Sequence, residues 1–173
     1  MDNVVIATDK GNVKLDEKAI GNLASKGAEF VQILAKLSGE DLNKYATSKF
    51  GDVTVDSWYA GAVAWATANG IVSGVGKDEF TPNAAISRQD MAVIIERYLN
   101  YKGELLKVKS KKISFNDSAH IAGYAKSAVV NMQKAGIING VKISNGDTQF
   151  KPEANASKAE AATMICRYLK NWV

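Results

Sequence analysis

Two four-residue segments carry the same chemistry in the same order. Ser87-Arg88-Gln89-Asp90 and Ser157-Lys158-Ala159-Glu160 each set a hydroxyl, then a cation, then a carboxylate three residues after the hydroxyl. Serine is a good helix N-cap, and Asp or Glu three residues on completes a capping box. Helix initiation therefore explains Ser87, Ser157, Asp90 and Glu160 without a ligand. It does not explain the cations, because the first helical position faces the positive end of the helix dipole, where folding favours Glu or Pro. A cation recurring there, beside helix-end amides, reads as an anion site. Arg88 has a planar fork that can hold a carboxylate through two bonds, whereas Lys158 is a point charge, so the two positions should differ in strength. Both sit where they add little to folding, so replacing either is expected to leave thermal stability almost unchanged.

Other residues admit a binding and a structural reading side by side. Trp58 and Tyr124 can stack on a sugar face, or serve as the rim of a packed helix. The Gly70–Gly74 and Gly136–Gly140 loops lack the Gly-Lys-Ser/Thr that a phosphate loop requires. Helix termination accounts for them, with close approach of a glycan at Gly74 and Gly140 as a further role. Asp52 and Asp117 precede helices and suit loop-amide binding better than catalysis. Cys166 reads as a small core residue and His120 as a loop residue. With one cysteine and one histidine in the chain, a disulfide framework, a Cys-based zinc site, a His-cluster metal centre and a Ser-His hydrolase are all disfavoured. The acidic residues pair only by repetition, which argues against a two-carboxylate glycoside hydrolase. The sequence thus implies no enzyme, no cofactor and no metal.

The 173 residues hold 22 Lys and Arg against 18 Asp and Glu, an excess of four that is too small to argue for nucleic acid but compatible with an anionic ligand at local sites. The uncharged stretch Trp58–Gly76 is too weakly apolar to insert in a membrane. No signal peptide is visible at the start, which leaves an intracellular chain or a mature region whose export signal lies elsewhere.

The elements that position these residues come from a repeat. Phe50–Leu99 aligns with Phe115–Leu169: Phe50 and Asp52 on Phe115 and Asp117, Trp58 on Tyr124, Gly70–Gly74 on Gly136–Gly140, Phe80 and Pro82 on Phe150 and Pro152, Ser87-Arg88 on Ser157-Lys158. A partial copy, Ala28–Leu37, repeats the last helix. Its apolar offsets recur as Phe30, Ile33, Leu34 and Leu37, then Met91, Ile94, Ile95 and Tyr98, then Ala161, Met164, Ile165 and Tyr168. Each full copy is predicted to be helix, loop, helix, with first helices over Ser57–Asn69 and Ile121–Ala135 and an extended Phe-x-Pro stretch between. Val4–Thr8 and Asn12–Leu15 read as two short strands, and Asp16–Ala24 as a short helix.

The order Phe-x-Asp-Val, Trp-Tyr, Ala-Val-x-Trp-Ala, Gly-Ile-Val-x-Gly, Phe-x-Pro, Ile-Ser-Arg-Gln-Asp-Met-Ala resembles the S-layer homology repeat of bacterial surface proteins. The resemblance implies a mainly α fold, a pseudo-threefold spindle of helix-loop-helix units, to which the two short strands read above would add a β-hairpin at the N-terminus. It divides the chain into a divergent first repeat over 1–49 (second helix about 28–38), a second over 50–112 and a third over 113–173, all in one structural domain. The implied function is non-covalent cell-wall anchoring in the extracellular S-layer. The implied partner is a secondary cell-wall polysaccharide attached to peptidoglycan, often pyruvylated, held in grooves between repeats. The resemblance places the basic groove residue at Arg88 and Lys158. In the first repeat the matching position is Gly27, with Lys26 at the hydroxyl position, so that groove lacks its cation or recruits Lys26. An alternative is a protein-interaction or S-layer self-assembly module that binds itself or other S-layer proteins without glycan.

Overall fold

A computed structural model of the chain describes residues 4–8, 11–15, 26–109 and 115–170. The helix expected over Asp16–Ala24 lies outside them. Helices dominate. Two compact units are distinguished, residues 1–85 with 157–159 and residues 86–156 with 160–173. Each unit is out of phase with the sequence repeat, for it joins the second helix of one repeat to the first half of the next.

In the first unit, β1 (Val4–Thr8) and β2 (Gly11–Leu15) pair antiparallel with Val4 opposite Leu15. Helix α1 (Gly27–Ser38) buries Phe30, Leu34 and Leu37, the expected stripe, while Ile33 is only half-buried. Helix α2 (Ala60–Ala68) buries every residue from Ala62 to Ala66, so its apolar positions need no single face. It starts three residues later than the sequence predicts. Ser57 does not cap it: the Ser57 hydroxyl pairs with that of Thr54 at 2.7 Å, and 54–60 runs as successive turns.

In the second unit, α3 (Arg88–Lys102) buries Met91, Ile95 and Tyr98 and stops at Gly103, whose φ of 67° is the left-handed conformation that glycine adopts freely. The first helix of the third repeat is likewise shorter than predicted, a 3-10 turn at Gly123–Ala125 leading into α4 (Lys126–Lys134). The extra residues of its glycine loop form a two-residue ladder, β3 (Val141–Lys142) against β4 (Thr148–Gln149). Helix α5 (Lys158–Leu169) closes the described chain and buries Ala161, Met164, Ile165 and Tyr168.

Contacts in this unit run in register. Asp90 meets Tyr124 and Glu96 meets Asn131, while Arg88 meets Glu160 and Tyr98 meets Tyr168. The three helices α3, α4 and α5 therefore point the same way, with their starts gathered at one end and their ends at the other.

Candidate functional site

The gathered helix starts of the second unit hold most of the candidate side chains. Their frame is backbone: the Arg88 N–H donates to the Ala154 carbonyl and the Gln89 N–H to the Pro152 carbonyl, both at 3.0 Å, seating α3 on the Phe-x-Pro loop of the next repeat. Asp117 fixes that loop by accepting from the amides of Phe150 (2.8 Å) and Lys151 (2.7 Å), and Lys151 has a φ of 57°. Two charge-assisted bonds from a buried carboxylate can hold a non-glycine residue in this costly conformation.

Pinning the loop turns the Phe150 carbonyl towards Arg88. The Arg88 Nε donates to it at 2.7 Å, one Nη pairs with Glu160 Oε1, and the guanidinium lies 5.3 Å from the centre of the Phe150 ring. The Arg88 side chain is 12% exposed and that of Glu160 37%. This overturns the expectation that Arg88 adds little to folding: its aliphatic stem lets the cation reach past the unfavourable helix start to a carbonyl, a carboxylate and a ring.

Beside it, Ser87 accepts from the Asp90 N–H at 3.2 Å, and the Ser87 hydroxyl and the Asp90 carboxylate are 2.5 Å apart. The capping box is half formed. Asp is one methylene shorter than Glu, and its carboxylate takes the Ser87 and Tyr124 hydroxyls instead of reaching back to the cap amide. Tyr124 donates to Asp90 Oδ1 at 2.6 Å and is still 59% exposed. Burial, and then the Asp90 hydrogen bond and charge, push its phenol up to about 12. The Tyr124 ring is thus held against α3 through Asp90 while remaining exposed, and Arg97 on the same helix is the cation that acts on its phenol.

The first unit repeats the frame without the cation. Gly27 N–H donates to the Ala84 carbonyl at 3.1 Å and Ala28 N–H to the Pro82 carbonyl at 3.2 Å, while Asp52 accepts from Phe80 and Thr81, whose φ is 55°. The bridge Lys26–Ala85 matches the bridge Ser87–Asn155, so Gly27 occupies the place of Arg88. A side chain there would start 3.8 Å from the Phe80 ring. Lys26, which makes no side-chain cap, reaches Asn83 Oδ1 at 3.4 Å. Trp58 is 64% exposed, with Tyr59 edge-on to it at 5.1 Å.

Gly74 and Gly140 answer to packing. A Cβ on Gly74, whose φ is 81°, would lie 2.5 Å from the Glu79 carbonyl and the Phe50 ring, and one on Gly140 would lie 2.6 Å from the Gln149 carbonyl and the Phe115 ring. Lys158 opens α5, half-buried, and its side chain bonds to no described residue. Sequence reasoning missed the Tyr124–Asp90 and Arg88–Glu160 pairs, which span 34 and 72 residues. The one available signal was that their members recur at matching repeat positions. Among the described residues no group of Asp, Glu, His and Cys could hold a metal ion, and no helix is long and apolar enough to cross a membrane.

The model of the S-layer homology domain matches residues 49–92 and 114–162, the two full repeats. The chain belongs to the S-layer homology family. Its similarity extends to an exoglucanase XynX of Acetivibrio thermocellus, 36% identical over 80% of this chain and 12% of that protein. The surface-layer 125 kDa protein of Lysinibacillus sphaericus is 31% identical over 70% of this chain and 10% of its own length. A cellulosome-anchoring protein of Acetivibrio thermocellus is 28% identical over 83% of this chain and 31% of its own. The chain thus spans about a tenth of the first two of these relatives and about a third of the last.

Proposed function

We propose that this S-layer homology chain is a cell-wall anchoring module, extracellular and non-catalytic, that binds an acid-bearing secondary cell-wall polysaccharide such as a pyruvylated one. The observation that carries the reading is the arrangement at the helix starts of the second unit: Arg88 held against Phe150 and Glu160, and an exposed Tyr124 ring anchored through its hydroxyl to Asp90, two residues further along α3. The names of the surface-layer and cellulosome-anchoring relatives agree with it, and the small share of the exoglucanase that the chain covers suits an accessory module. In the first unit the exposed Trp58 holds the repeat position of Tyr124 and Lys26 stands next to Gly27, which lacks the cation, while Lys158 is a point charge on α5.

Binding at Arg88 works by exchange. The guanidinium already holds Glu160, so a ligand carboxylate takes the place of the more exposed Glu160 while the Phe150 carbonyl keeps Nε in position. Removing the competing charge should help: Glu160→Gln is expected to raise affinity for the acidic polymer severalfold, and Arg88→Gln to lower it about tenfold or more. Equilibrium binding of the purified polymer, before and after removal of its acid groups, tests this. Equal binding of both polymers by all three proteins would reject the acidic-ligand reading.

A further inference from the structure

After Gly103 the chain leaves α3 and residues 104–109 form no helix, strand or turn. This segment is held at two points. At the first, the Glu104 N–H donates to the Leu99 carbonyl at 3.0 Å and the Glu104 carboxylate accepts from the Tyr168 hydroxyl at 2.7 Å. At the second, the Lys109 N–H donates to the Lys134 carbonyl at 2.8 Å and Lys109 Nζ to the Lys170 carbonyl at 3.3 Å. Between them, Leu105, Leu106, Lys107 and Val108 make no hydrogen bond to any described residue, by backbone or side chain. Leu105 is 91% exposed and Val108 72%, Lys107 is exposed, and Leu106 is half-buried. An endoprotease takes its substrate as a straightened strand, through free backbone groups on both sides of the bond it cuts and with side chains in separate pockets. Helices and paired strands must first be unravelled, whereas residues 105–108 have no such bonds to give up, so opening them costs little.

We propose that the Lys107–Val108 bond is a cleavage site for an endoprotease whose specificity pocket carries a carboxylate, and that the cut unit stays assembled. The Lys107 ammonium fills that pocket. Water adds across the bond: its hydroxyl goes to the Lys107 carbonyl carbon and its proton to the Val108 nitrogen. Neighbouring lysines of the unit are protected, for Lys102, Lys126 and Lys134 lie in helices, Lys142 lies in the β3 ladder, and Lys151 precedes Pro152, which lacks the N–H. The cut leaves α3 on one fragment and α4 with α5 on the other, and the bonds Asp90–Tyr124, Glu96–Asn131 and Glu104–Tyr168 still cross between them. The new carboxylate and ammonium appear in solvent, so neither charge has to be buried. This inference does not depend on the polymer-binding reading.

The test is brief digestion of the whole chain with trypsin, followed by mass spectrometry and by gel filtration without denaturant. The earliest cut between residues 26 and 170 should give fragments that end at Lys107 and begin at Val108. They should co-elute at the volume of the uncut chain and melt at a temperature that rises with concentration. Lys107→Gln should slow this cut by at least about a hundredfold, because a pocket built for a charge rejects an uncharged analogue, and Lys107→Arg should be cut as the wild type is. Lys126→Gln makes an equal change in net charge at an exposed helical site. It should leave the rate within about twofold. An earliest cut at any other bond, equal slowing by Lys107→Gln and Lys126→Gln, or fragments that separate without denaturant would overturn the proposal. So would a cleavage rate that climbs steeply with urea, since the bond would then be reached only through global unfolding.

Discussion

Replacing Arg88 by alanine removes three contacts at once, and their sizes can be set from the structure. The Nε bond to the Phe150 carbonyl is a charge-assisted hydrogen bond on a side chain only 12% exposed, which should contribute about 1.5 to 2 kcal/mol. The pair with Glu160 is discounted because that carboxylate is 37% exposed, leaving about 0.5 kcal/mol. The ring contact with Phe150 adds about 0.5 kcal/mol. The expected loss is about 2.5 to 3 kcal/mol, or roughly 5 to 12 °C in Tm for a chain of this length. Lys158→Ala should move Tm by less than about 2 °C, because its side chain bonds to no described residue. Differential scanning calorimetry of both variants, with Arg88→Lys as the charge-retaining control, measures this. If Arg88→Ala melted with wild type, the three contacts would not hold the Phe-x-Pro loop, and the account of this site would fail. Binding data on Arg88 variants accordingly need to be taken well below their lowered Tm.

Asp117→Ala should cost about 3 kcal/mol in denaturant titration, since it frees the Phe150 and Lys151 amides and a strained backbone at once. Gly140→Ala should destabilise by about 2 kcal/mol or more on the same assay, because the added methyl meets the Gln149 carbonyl at 2.6 Å. Tyr124 ionises near 12 in the fold against an ordinary value of 10, so its contribution to stability is complete below pH 10 and lost as pH rises towards 12. Absorbance titration should show this phenolate appearing late, and Tyr124→Phe should remove that step.

The repeat was readable because its parts obey local rules. The stripe Met91, Ile95, Tyr98 recurs at helical spacing, and Ser87 is a cap by type alone. The N-terminal strands and the departure at Gly27 were legible for the same reason, since each depends on residues near in sequence. What stayed hidden is non-local. The loop amides bound by Asp52 and Asp117 lie 28 and 33 residues away, and no spacing rule pairs Arg88 with Glu160. Helices α2 and α4 start later than their sequence implies because Ser57 and Gly123 belong to turns whose bonds decide the helix start more strongly than propensity does. The compact units were also invisible, because a repeat in sequence does not reveal that its second helix seats on the loop of the repeat that follows.

Cosedimentation of the purified chain with bacterial cell-wall sacculi tests the anchoring claim most directly, run before and after the non-peptidoglycan polymer has been stripped, with analytical ultracentrifugation of the chain alone beside it. An anchoring module should run as a monomer, pellet with intact sacculi, stay in solution with stripped ones, and pellet less when Arg88 is Gln. Equal pelleting on stripped sacculi, or self-association without any wall binding, would contradict the claim.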